Sequence, residues 1–124
     1  MKIASTIARY LLGLIFVVFG LNGFLHFMPL GPMPTGIPGQ FMGALFASHY
    51  VVPIYGCQVI GGVLLLLNRY VPLGLTILAP VIFNILIVHI LMLPQGLALA
   101  VVVLILWILV FLSVRSAFDG ILQK

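Results

Sequence analysis

From Arg9 to Arg69, and again from Arg69 to Arg115, the intervening chain carries no charged side chain. Both stretches are built from long apolar runs, punctuated by prolines and glycines. A water-soluble domain of 124 residues cannot cover itself with so little charge, since 65% of the residues are hydrophobic and only 5% charged. The runs are long enough to span a bilayer core, which takes about 20 helical residues. They are too unbroken, and too poor in alternating polar residues, for a membrane β-barrel. The sequence therefore predicts an all-α integral membrane protein, a four-helix bundle forming a single domain over residues 1–124.

The expected spans cover residues 5–27, 51–67, 72–93 and 97–114. Lys2 and Arg9 before an apolar stretch resemble a signal peptide. That run is longer than a typical signal core and has no small-x-small exit, so a retained first span is expected. After it, prolines at 29, 32, 34 and 38 and glycines at 31, 36 and 39 favour an extended crossing over the membrane surface. Residues 40–50 are apolar but too short to span, and read as a short interfacial helix between spans one and two. Asn68-Arg69-Tyr70-Val71 and Pro94-Gln95-Gly96 are tight turns. Pro80 should kink span three and free a carbonyl one turn earlier.

Lys2, Arg9, Arg69, Arg115 and Lys124 all fall on one side of a four-span topology, and the other side has no Lys or Arg. The positive-inside rule then puts both termini in the cytoplasm of a multi-pass protein of the bacterial inner membrane. The net charge of +4 is scattered over the ends of the runs instead of forming a basic face, so no nucleic-acid partner is implied. The single cysteine, Cys57, excludes an internal disulfide, a Cys-x-x-Cys redox pair and a cysteine-built metal site. There is likewise no Ser-His-acid set for nucleophilic catalysis.

Polar residues inside such spans stand out. Asn22 and His26 are four apart and would stack on one face of span one, beside Gly20 and Gly23. Tyr55, Gln58 and Gly62 share a face of span two. Gln58 lies roughly 10 Å below the start of that span, and Asn22 and His26 up to roughly 8 Å from the outer end of theirs. His89 lies at a similar depth in span three, with Asn84 nearer the middle. Three helices thus send polar side chains into one layer of the outer half. Asn84 and His89 are five apart, roughly 140° around a helix, so both face one cavity only if it is wide. Span four has no polar side chain until Ser113 and reads as a packing and lipid-facing brace. His49 and the tyrosines at 10, 50 and 70 read as interfacial residues, and Trp107 as packed against a neighbour.

The segments Arg9-Tyr-Leu-Leu-Gly13, Gly20-Leu-Asn-Gly23, Gly61-Gly-Val-Leu-Leu-Leu and Asn68-Arg-Tyr-Val-Pro-Leu-Gly74 resemble the DoxX family of small four-helix membrane proteins. So does Ala79-Pro-Val-Ile-Phe-Asn84 with His89. The resemblance covers nearly the whole chain and implies association with respiratory redox enzymes, among them a quinol oxidase and a thiosulfate:quinone oxidoreductase. At Gln58 the family often carries an acid, and its absence here removes a carboxylate proton relay.

Several functions follow from this layer. Asn22, His26, Gln58, Asn84 and His89 could hold a quinone or another lipid-soluble ligand by its carbonyl oxygens, with Phe24, Phe27, Phe83 and Met92 walling its ring. Alternatively the layer is interhelical glue, worth about 0.6 kcal/mol per contact, in a non-catalytic subunit that packs on other membrane proteins or on itself. Haem held by His26 and His89 is a weaker fit. A small transporter ranks last, because the only acid is Asp119 in the tail. No catalytic residue and no metal ligand is assigned.

Overall fold

The computed structural model describes residues 2–27 and 34–121, and among them every regular element is helical. The elements are α1 (Lys2–Leu25), α2 (Gly36–Ala47), α3 (Val51–Leu67), α4 (Val71–Leu91) and α5 (Leu97–Ser113). Short 3-10 turns occupy Pro94–Gly96 and Arg115–Phe118. Three helical stretches are long and apolar enough to cross a membrane: Lys2–Leu25, Val71–Leu91 and Pro94–Ser113. α3 has 17 residues, roughly 25 Å of helix. That is the short end of spanning lengths, and together with α2, from which it is bent by 82°, it forms a candidate broken span.

α1 ends at Leu25, two residues before the expected limit, because His26 turns into the left-handed region at φ 53. Its amide still donates to the Asn22 carbonyl at 2.8 Å, which closes the last turn. The expected extended crossing is only partly testable, since residues 28–33 lie outside the described residues, as does Lys124. Where it is described, the expectation fails: α2 already begins at Gly36 and includes Pro38 and Gly39. Pro38 is the third helical residue, where the backbone N–H would have no intrahelical acceptor, so proline costs nothing there.

The turn between α3 and α4 uses two non-glycine residues in the left-handed region, Asn68 at φ 54 and Tyr70 at φ 53. The Arg69 amide reaches back to the Leu64 carbonyl at 3.1 Å, and Pro72 opens the first turn of α4. The Arg9 guanidinium, on α1, donates to the Leu65 carbonyl near the α3 C-terminus, adding a charged donor to the Asn68 amide that the same oxygen accepts at 3.2 Å. It also lies 4.4 Å from the centroid of the Tyr10 ring. α4 remains helical through Pro80. Trp107 donates from its indole N–H to the Leu75 carbonyl at 3.0 Å, tying α5 to α4, and stacks on Phe111 at 5.3 Å.

α1 packs on α3 and α5, and α4 packs on the same two helices. In hydrocarbon this association rests on close fit and not on water exclusion, so small residues govern it. At the α1–α3 crossing the two backbones touch: a Cβ on Gly62 would lie 2.8 Å from the Gly13 oxygen, and one on Gly13 would lie 2.9 Å from the Gly62 oxygen. Gly61 turns the other way, and a Cβ there would meet Leu78 of α4 at 2.6 Å. Around this crossing Leu12, Leu65, Leu75 and Leu78 are fully buried. α2 buries none of its residues and projects away from the other helices.

Candidate functional site

The polar residues of the sequence divide sharply once the helices are packed. Asn22 on α1 is 2% exposed and Gln58 on α3 is 8% exposed. Together with His89 of α4 they line one chamber of about 270 Å³. Three helices therefore deliver one polar side chain each to a common space. Asn22 comes from the last turn of α1 and Gln58 from the middle of α3. They can approach because the α1 face between them carries Gly20 and Gly23. A Cβ on Gly20 would meet the Gln58 Cβ at 3.1 Å, and the Tyr55 ring occupies the place of a side chain at Gly23.

His89 is held in a fixed orientation. Its Nδ1 lies 2.7 Å from the Ile85 carbonyl, which can only accept, so in the neutral ring Nδ1 carries the proton and Nε2 is left as an acceptor. The Nε2–Cδ2 edge of the ring rests against Gly96, where any Cβ would collide with it. Gly96 also lines the chamber, so the turn before α5 is what seats the imidazole.

His26 and Asn84 do not join them. Because α1 stops at Leu25, His26 no longer follows Asn22 on a helical face. It is exposed and is not among the residues lining the chamber. Among the described residues it joins His89 in neither the chamber nor the groove, so neither space brings the two histidines together as a haem pair. Asn84 is also exposed, and its amide donates to its own helix at the Pro80 carbonyl, at 2.8 Å. A side chain satisfied locally in this way needs no partner from another helix. The 100° step per residue separates Asn84 from His89 as the spacing suggested: Asn84 lines only an outer groove, whereas His89 reaches both the groove and the chamber.

The expected aromatic wall is also corrected. Phe24, Phe27 and Phe83 are 44%, 54% and 63% exposed, and neither they nor Met92 line the chamber. Phe24 instead meets Tyr55 edge-on at 6.1 Å. The rings that do line the chamber are Phe16, Phe19 and Tyr55, with Ile15 and Ile85 beside them. Phe19 and Ile15 precede Asn22 by three and seven residues, the spacing of one helical stripe, so the sequence carried the signal. α5 is more than a brace, since Leu99, Ala100 and Val103 form the apolar wall facing Asn22 and Gln58.

A second, larger space of about 950 Å³ lies between α2, α3 and α4. It shares Tyr55, Gln58, Ile85 and His89 with the chamber. Cys57 lines it as well, half-buried and with a free thiol. His49 sits outside both spaces, at the bend between α2 and α3, with a left-handed φ of 61. Among the described residues no cluster of three or more His, Cys, Asp or Glu side chains could hold a metal ion. No protein-family model, curated protein or solved structure matches the chain.

The chamber presents hydrogen-bonding side chains within a largely apolar wall. It offers amide donors and acceptors from Asn22 and Gln58, a phenol from Tyr55 and an imidazole from His89. The apolar surface around them suits a flat ring with polar oxygens on its rim.

Proposed function

We propose that this chain is a small DoxX-like membrane protein serving respiratory or other membrane redox chemistry, and that its chamber receives the ring of a quinone. The observation that carries the reading is the convergence of Asn22, Gln58 and His89, from α1, α3 and α4, on one cavity walled by Phe16 and Phe19. A quinone carbonyl accepts hydrogen bonds, which the two amides donate. Reduction of the ring turns those oxygens into hydroxyls, and the Nε2 acceptor of His89 suits that state. No carboxylate lines the chamber, so the arrangement suits binding of a neutral ring better than cation transport.

In the same reading α1, α3, α4 and α5 all cross the bilayer, with α2 lying at the interface. Arg9 meets the end of α3 at Leu65, and Arg69 and Arg115 follow α3 and α5 at that same end; by the positive-inside rule this clustering supports a reading in which both termini face the cytoplasm of a bacterial inner membrane. A C-terminal reporter active only outside the cytoplasm should be silent, and an active one would overturn this topology.

The function is tested by titrating the detergent-purified protein with a soluble quinone. The parent should bind, and Asn22→Leu and Gln58→Leu should each weaken binding about tenfold while circular dichroism stays helical. Binding equal to the parent in both variants would refute the reading. A second reading, a non-catalytic subunit or assembly factor of a larger membrane complex, is favoured by one observation. Among the described residues no fully buried side-chain nitrogen or oxygen lacks a hydrogen-bond partner, so the buried part of the layer does not require a ligand.

A further inference from the structure

The chamber and the groove meet along Tyr55, Gln58, Ile85 and His89, and that shared wall limits what the pair can bind. At about 270 Å³ the chamber falls just below the range of small-molecule pockets, about 300–1,000 Å³. It takes a ring, not a ring with a long substituent. The groove adds about 950 Å³ of mostly apolar space, walled by Phe46 and Leu45 of α2, Ile54 of α3 and Ile77 and Val88 of α4. Because α2 leaves α3 at 82°, its apolar residues stand over this groove without closing onto it.

Among the described residues no Lys, Arg, Asp or Glu lines either space. A phospholipid head needs a cation or a cluster of donors for its phosphate, and Arg9, Arg69 and Arg115 all lie at the opposite end of the helices. A charged head left without such a partner against an apolar wall would be strongly disfavoured. The occupant is therefore neutral at the head and apolar along its length.

We infer that the α2–α3–α4 groove seats the tail of a neutral, long-tailed membrane lipid whose polar ring lies in the chamber, the tail passing the shared wall of Tyr55, Gln58, Ile85 and His89. This rests on the reading of the chamber as a quinone-type ring site and adds the class of ligand and its path. The ligand enters sideways from the bilayer, not from water. The tail gains little affinity from the groove, because lipid chains are as apolar as the groove wall. Its role is to direct the ring, since a tail lying between α2 and α4 points the head at Gln58 and His89.

The test uses two photoreactive quinones and the full chain in lipid nanodiscs. One probe carries a diazirine on the ring and the other carries it near the end of an isoprenoid tail. The ring probe should label chamber residues such as Phe19 and Leu99, and the tail probe groove residues such as Met42, Cys57 and Val88. Excess tail-free quinone should suppress both patterns at least tenfold, because the ring anchors the tail, and Val88→Trp should reduce only the tail labelling. Tail labels spread over the outward-facing Ile60, Phe83 and Ile108, or groove labels that resist the competitor, would overturn the groove assignment while leaving the ring site standing. Loss of competable ring labelling would overturn the ring site itself.

Discussion

The two ends of this helix pack are built differently. At the basic end Gly13 and Gly62 bring two backbones into contact, Arg9 closes the α3 terminus, and Leu12, Leu65, Leu75 and Leu78 are sealed from any solvent. At the other end a chamber and a groove lie between the helices, α2 bends away from α3, and the polar Asn22 and Gln58 are buried beside Phe16, Ala100 and Val103. The same residue type serves both ends with opposite results. Glycine at 62 lets a backbone approach, whereas glycine at 23 and 96 makes room for the rings of Tyr55 and His89. One end is close-packed and the other is left with open space between its helices.

This contrast fixes an order of expected effects. The largest is Gly62→Leu, whose side chain has only the Gly13 backbone and Val17 to displace. A loss of about 3 kcal/mol, at the upper end for overpacking, should appear as a lower thermal midpoint and a broadened elution profile. A variant as stable as the parent would show that the α1–α3 seam is not the close-packed end. Next is Arg9→Met, which leaves the Leu65 carbonyl without its charged donor. That carbonyl keeps the Asn68 amide, so the cost should be about 1.5 kcal/mol, the low end for a charged hydrogen bond, in denaturant titrations of the reconstituted protein.

Those two sites show what could be read from sequence and what could not. The bounds of α3 follow from its flanking turns, and the pairing of Gln58 with Tyr55 and Gly62 follows from helical spacing alone. The end of α1 does not, because a histidine in a left-handed conformation is set by how the chain leaves the helix and not by propensity. That single turn removes His26 from the site. Asn84 was misplaced for a different reason: its amide has a satisfactory acceptor within its own helix, and spacing cannot say whether a polar side chain will look outward for a partner. The seat of His89 on Gly96 joins two elements across a turn, so no periodicity announces it.

A smaller effect is expected at that seat. Gly96→Ala forces the imidazole off its support, which should shift the His89 ring resonances and weaken quinone binding several-fold while changing stability by less than about 1 kcal/mol. Unchanged resonances would show that the ring is not fixed by the turn. The smallest effect is a gain. A Cβ on Gly56, within α3 at the open end, meets nothing within 4 Å, so Gly56→Ala should stabilise the helix by about 0.5–1 kcal/mol. A loss there would mean the open end is more tightly packed than described.

A neutral lipid-soluble ring held at the hollow end should survive gentle extraction of the protein. Native mass spectrometry of the protein released from gentle detergent tests it most directly. The parent should retain a neutral adduct with the mass of a polyprenylated quinone, and Gln58→Leu should lose it while keeping its helical spectrum. A parent that carries no such adduct after purification from quinone-containing membranes, or a Gln58→Leu protein that carries it equally, would contradict the account.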